Sequence, residues 1–99
     1  MKILLFHVTG LEAYKGIVKD GCLKPGPKNV WVERKPTGYI RKGGKVWLCE
    51  RRAVKGIKAH LTRLGKDTRI VLSVMVDKEL VKPYRPMPGV YTAEVNIPL

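Results

Sequence analysis

The residues of this chain whose types and positions could do chemistry are one early histidine, one late carboxylate and two tryptophans. His7 ends the apolar run KILLFHV, and Thr9, Gly10 and a helical pattern follow at once. An imidazole beside a helix start faces backbone amides. That corner suits an anion or a ribose hydroxyl, because the amides donate to an anion while neutral imidazole can donate or accept. A strand-end histidine satisfied by backbone has the same local sequence. Glu94 is the sole acidic residue after Glu79. It lies in a run, Tyr91 to Ile97, whose alternation puts Thr92, Glu94 and Asn96 on one strand face, which borders either a site or water. Trp31 and Trp47 sit among valines, where an indole serves a core or offers a π face to a ligand ring.

A third group is cationic. The segment ERKPTGYIRKGGK, Glu33 to Lys45, carries five cations and three glycines. Arg34, Lys35, Tyr39, Arg41 and Lys42 combine charge with an aromatic in the manner of a phosphate-tracking loop, although a loop kept soluble by charge has the same composition. Gly43-Gly44 lacks the spacing and the Lys-Ser/Thr of a phosphate loop. Cys22 and Cys49 form no CxxC pair, so no metal is expected and both thiols are expected to be reduced and structural. His60 falls off the apolar stripe of its helix and reads as a surface residue.

Charge is the strongest compositional feature: 20 Lys and Arg oppose 8 Asp and Glu, for a formal +12. Such an excess favours polyanions through phosphate contacts and counterion release, so nucleic acid is the expected partner and an acidic protein a second one. A solvated, highly charged surface is the plain alternative. No apolar run approaches the ~20 residues of a membrane span. Met1 to Val8 is too short for a signal-peptide core and no small-residue cleavage site follows, so the expected location is cytoplasmic with no membrane partner.

These residues need elements to position them, and 99 residues make a single domain, 1–99, with one compact site. Lys2 to Val8 reads as a buried strand. Leu11, Tyr14, Ile17 and Val18 recur at helical spacing, Thr9 and Glu12 form a T-x-x-E capping box, and Gly21 stands where a left-handed cap belongs. KPGPKN, Lys24 to Asn29, is a loop, and Val30 to Val32 a short strand. Glu33 to Lys45 is a long connection or a hairpin tip, and Val46 to Cys49 a buried strand. Ala53, Ile57, Leu61 and Leu64 mark a second helix that Gly65 stops. Ile70 to Val76 is the strongest strand, Lys82 to Gly89 is a proline-punctuated loop, and Tyr91 to Ile97 is the last strand. The order implies an α+β domain with two helices and a mixed or split sheet.

Taken together, LFHVTG and the helix that ends in IVKDGCLKP resemble the opening of ADP-ribosyltransferase-like domains, in which an "hxHxT" strand precedes a helix ending in "IxxxGxLxP". Within that superfamily the pattern is similar to the small groups with histidine in the first motif, the RNA 2′-phosphotransferases and the nucleic-acid-modifying transferases of toxin systems. KVWLCERRAVKGI resembles their second motif, with Trp47 where tyrosine is commonest and Ala53 on the helix. VLSVMVDKEL followed by VYTAEVNIP resembles the closing part, with Glu94 at the place of its glutamate.

The resemblance implies a split sheet that binds NAD as substrate. It implies that His7 holds the adenosine-side ribose with Thr9 and the Gly10 backbone nearby, and that Trp47 stacks on the nicotinamide. Glu94 is then the catalytic residue: it bonds the nicotinamide-side ribose and stabilises the oxocarbenium, an attraction stronger in the transition state than in the ground state. The implied activity is transfer of ADP-ribose to a nucleic acid or protein. The chain departs from the family in its short length and its Trp for Tyr, and its basic residues cannot be assigned one by one to a diphosphate or to an RNA 2′-phosphate. A non-catalytic, basic, nucleic-acid- or protein-binding module on the same fold is the competing expectation.

Overall fold

The computed structural model describes residues 1–25, 30–34, 38–42 and 44–99. Its elements are β1 (Lys2–Thr9), α1 (Leu11–Asp20), β2 (Cys22–Leu23), β3 (Val30–Arg34), β4 (Gly38–Lys42), β5 (Val46–Cys49), α2 (Val54–Arg63), β6 (Ile70–Asp77), β7 (Lys82–Pro83), β8 (Val90–Ala93) and β9 (Ile97–Pro98). Five strands form one sheet in the order β6-β1-β5-β8-β7, while β2 pairs with β9 and β3 with β4. The expected α+β architecture with two helices is present. Every pairing among the described residues is antiparallel, so the sheet is divided but not mixed in direction.

Alternation along the strands builds the core. Leu5, Val46, Leu48, Val74, Val76 and Ala93 point to one face, where Leu23 of β2 and Ile97 of β9 close over them. Leu5, Leu48 and Ile97 are each 1% exposed, and burying a side chain of that size contributes roughly 1.5–3 kcal/mol. The other face carries Val8, Cys49, Val90 and Thr92, also buried, beside the half-buried Ala53, Val54, Ile57 and Leu61 at and along α2. Among the described residues no helix is long and apolar enough to cross a membrane.

Both helices end as glycine placement implies. Gly21 adopts φ +70° and donates its N–H to the Ile17 carbonyl at 2.9 Å, and Gly65 adopts φ +76° just beyond α2. The start of α1 differs from the expected capping box. Thr9 stays in β1, Gly10 is the N-cap, and no side chain at that position caps the helix. The cap comes from 56 residues away: the Asp67 carboxylate accepts from Leu11 N at 3.1 Å and is itself held by Arg69 Nη2 at 2.9 Å. Those hydrogen bonds, led by Arg69, hold the Asp67 carboxyl well below the usual carboxylate range.

This cap explains Gly10. A Cβ there would lie 2.8 Å from the Asp67 Cβ, closer than packed carbons tolerate, and Asp67 is anchored on two sides. Gly10→Ala should therefore destabilise the protein by about 1–3 kcal/mol, the range for forcing a methyl into a packed site, as a urea titration would read out.

Two further expectations are corrected. The last strand does not run unbroken from Tyr91 to Ile97: β8 ends at Ala93, residues 94–95 bend, and β9 begins at Ile97 to pair with β2. Within the proline-rich Lys82 to Gly89 segment, Lys82 and Pro83 pair with Thr92 and Tyr91 as an edge strand, where a missing amide is tolerated. Of the Glu33 to Lys45 segment, the described residues 33–34 and 38–42 belong to the antiparallel pair β3–β4, with Trp31 opposite Arg41 and Glu33 opposite Tyr39, and 35–37 and 43 lie outside the described residues.

Candidate functional site

The site arises where two strands part. β1 pairs with β6 along its whole length, from Lys2 opposite Asp77 to Thr9 opposite Ile70. With β5 it pairs only at Phe6 opposite Cys49. Beyond that point the ladder opens toward Thr9 and Val46, and the His7 imidazole bridges the gap with Nδ1 2.8 Å from the Trp47 carbonyl oxygen. A cavity of about 310 Å³ fills the opening, floored by His7, Thr9 and Val46. Ala13, Gly16, Ile17 and Asp20 of α1 roof it, and Cys22 to Lys24 close one side.

The expected apolar stripe of α1 holds in part: Tyr14 and Ile17 are half-buried, and Ile17 both packs on the core and helps to roof the cavity. Leu11 and Val18 are exposed, and α1 buries no residue fully. Its inward face repeats every three or four positions with two small residues, Ala13 and Gly16. Small side chains at these two positions leave the space beneath the helix unfilled. A second cavity, about 390 Å³, lies along β6, between it and the tail Ile97 to Leu99.

The chemistry of His7 follows from its hydrogen bond to Trp47. A carbonyl oxygen only accepts, so Nδ1 carries the proton and Nε2 presents a lone pair. Burial lowers the His7 pKa, against the smaller raising effect of the Trp47 carbonyl, and the ring is held neutral. Between the lowered and the ordinary value the unfolded chain binds a proton that the folded chain refuses. Stability should then be complete above about pH 6.5 and fall as the solution is acidified below it. Melting temperatures measured from neutral to mildly acid pH should show the drop, and His7→Gln should flatten it.

The other expected site residues are placed as follows. Thr9, 8% exposed, lies in the cavity floor beside His7. Gly10 is outside the lining, behind Asp67. The anion site expected at the start of α1 is already taken, since the Asp67 carboxylate accepts from Leu11 N. Trp47 contributes its strand position to the cavity wall, but its ring leaves on the face opposite Val46 and Leu48. There it meets Tyr84 edge to face, with centroids 4.9 Å apart.

Glu94 is exposed, and it follows Ala93, the strand partner of Val46 in the cavity floor. That puts it at the open end of the split, next to the level of Lys45, yet outside the lining itself. Arg34, Tyr39, Arg41 and Lys42 lie on the β3–β4 hairpin, and Lys35 lies outside the described residues. His60 is exposed on α2, and Cys22 and Cys49 are both free thiols.

Sequence reasoning missed Gly16, Asp20, Lys24 and Lys45. Asp20 and Lys24 pair at 3.4 Å at one wall of the cavity, and Lys45 stands at another. The small residues three apart on α1, Ala13 and Gly16, were the available signal for unfilled space under the helix. No family model, no curated protein and no solved structure matches this chain.

Proposed function

We propose that the cavity binds NAD and that the protein transfers its ADP-ribose to a nucleic acid or protein acceptor, on an ADP-ribosyltransferase-like fold. The observation that carries this reading is the opened β1–β5 ladder with a neutral imidazole across it. A sheet that splits at a histidine is what the first-motif resemblance implies, and Nε2 is free to accept from a ribose hydroxyl. The cavity volume is at the lower end of the ~300–1,000 Å³ typical of ligand sites, so it takes one nucleoside end of the dinucleotide. The remainder lies along the rim, where Lys45 meets the diphosphate and Glu94 the second ribose.

In the transfer step the acceptor nucleophile bonds to C1′ of that ribose as the bond to the nicotinamide nitrogen breaks. Nicotinamide leaves with the electron pair, and the acceptor's proton passes to water. The chain's formal +12 draws a polyanionic acceptor to the same surface.

A second reading, nucleotide or nucleic-acid binding without chemistry, is favoured by two placements. The Trp47 ring packs on Tyr84 instead of facing the cavity, and Glu94 is outside the lining. Calorimetric titration with NAD, followed by incubation with labelled NAD and mixed RNA, DNA and protein, separates the readings. Binding with label transfer supports the enzyme, and binding without transfer supports the module. Absence of NAD binding overturns the first proposal.

A further inference from the structure

The two edges of the five-stranded sheet are built differently. At one edge, β7 is two residues long and offers a lysine and a proline, both of which discourage another strand. At the other, β6 runs eight residues, IVLSVMVD, with no lysine and no proline. No strand among the described residues pairs with its outer side. Five consecutive residues, Ser73 to Asp77, form one wall of a groove of about 390 Å³ beside it, and Leu80 and the tail Ile97 to Leu99 form the other. Side chains that alternate between faces share such a groove by presenting their common backbone edge.

The outward face of this strand has a self-matching order. Arg69, Val71, Ser73, Met75 and Asp77 alternate with the core positions 70, 72, 74 and 76. Val71 is 38% and Met75 54% exposed, and Leu4, opposite Met75 on β1, widens the apolar strip at 52%. Read along the strand, the face is cation, apolar, hydroxyl, apolar, anion. Reversed, it presents to each position a partner that suits it.

We propose that β6 is a self-association edge, on which two copies pair β6 with β6 antiparallel about Ser73 and continue one sheet across both. In that register Val71 faces Met75 of the second copy and Arg69 faces Asp77 of the second copy. Ser73 meets its own twin. Cross-strand apolar and opposite-charge pairs of this kind are the units that stabilise a sheet. Arg69 bonds Asp67 through Nε and Nη2, which leaves donors on Nη1 for a second carboxylate. The self-matching order is what selects another copy of this chain over an unrelated strand.

Sedimentation across about 10 µM to 1 mM tests the proposal, with the mass expected to double from 11.2 kDa as concentration rises. Because each copy is strongly cationic, added salt should favour the pair by screening repulsion. Ser73→Lys sets two ammonium groups face to face on an outward position that the monomer leaves in water. It should raise the dissociation constant at least ~10-fold while circular dichroism stays unchanged.

Ser73→Cys in a Cys22→Ser background should form a disulfide-linked dimer on mild oxidation, since paired strand Cα atoms lie ~4.5–5.5 Å apart, within disulfide range. Met75→Cys, which faces Val71 in this register, should not. A chain monomeric at every concentration, association that survives Ser73→Lys, or equal cross-linking from Met75→Cys overturns the proposal.

Discussion

On the proposed reading, Glu94→Gln should reduce ADP-ribosyl transfer by about 100-fold or more while leaving NAD affinity within about threefold of the parent protein. The substitution keeps shape and hydrogen-bonding reach but removes the negative charge. Ground-state NAD needs little from that charge, whereas the ribosyl cation that forms as nicotinamide leaves is stabilised by it directly. Glu94 is exposed and outside the cavity lining, one residue past the strand partner of Val46. Its fold role is therefore small, and the variant should melt like the parent. Labelled NAD incubated with the acceptor mixture, beside a calorimetric titration of the same preparation, checks both halves. Transfer that persists undiminished in the glutamine variant removes Glu94 from the mechanism.

The roof of the cavity offers a second test that separates binding from folding. Gly16 lies in the middle of α1, and a Cβ built on it meets no atom within 4 Å. Glycine in a helix interior costs about 0.5–1 kcal/mol relative to alanine, so Gly16→Ala should stabilise the fold by that amount. Gly16→Leu keeps most of the helical gain and extends an isobutyl group into a space of about 310 Å³. NAD affinity should then fall by about 10-fold or more, equivalent to about 1.4 kcal/mol. Urea unfolding should show neither variant less stable than the parent. Loss of affinity without loss of stability places the ligand under α1. Unchanged affinity in the leucine variant would put the ligand elsewhere.

Much of the scaffold was legible because its elements rest on local signals. Gly21 and Gly65 stop their helices with positive φ, and the β-branched run from Ile70 to Val76 is a full-length strand. The parts that were not legible depend on distant partners. Thr9 and Glu12 make a good capping box on paper, yet Thr9 is committed to β1 and its pairing with Ile70, so Asp67 caps the helix instead. The tail alternates as one strand would, but Leu23 draws Ile97 into a separate ladder and the chain bends between. The site divides in the same way. His7 and Thr9 were identified by type and lie together in the cavity, while the direction of the Trp47 ring depends on which face Val46 and Leu48 bury.

The interior strand β1, between β5 and the edge strand β6, precedes its full-length neighbour, Ile70–Asp77, by some seventy residues. A polypeptide emerging from the ribosome therefore carries KILLFHVT without its main partner until most of the chain has been made. Such long-range pairing slows folding, because a large loop must close before burial repays it. During synthesis this apolar stretch is the segment most in need of shielding, and premature truncation before residue 70 leaves it exposed.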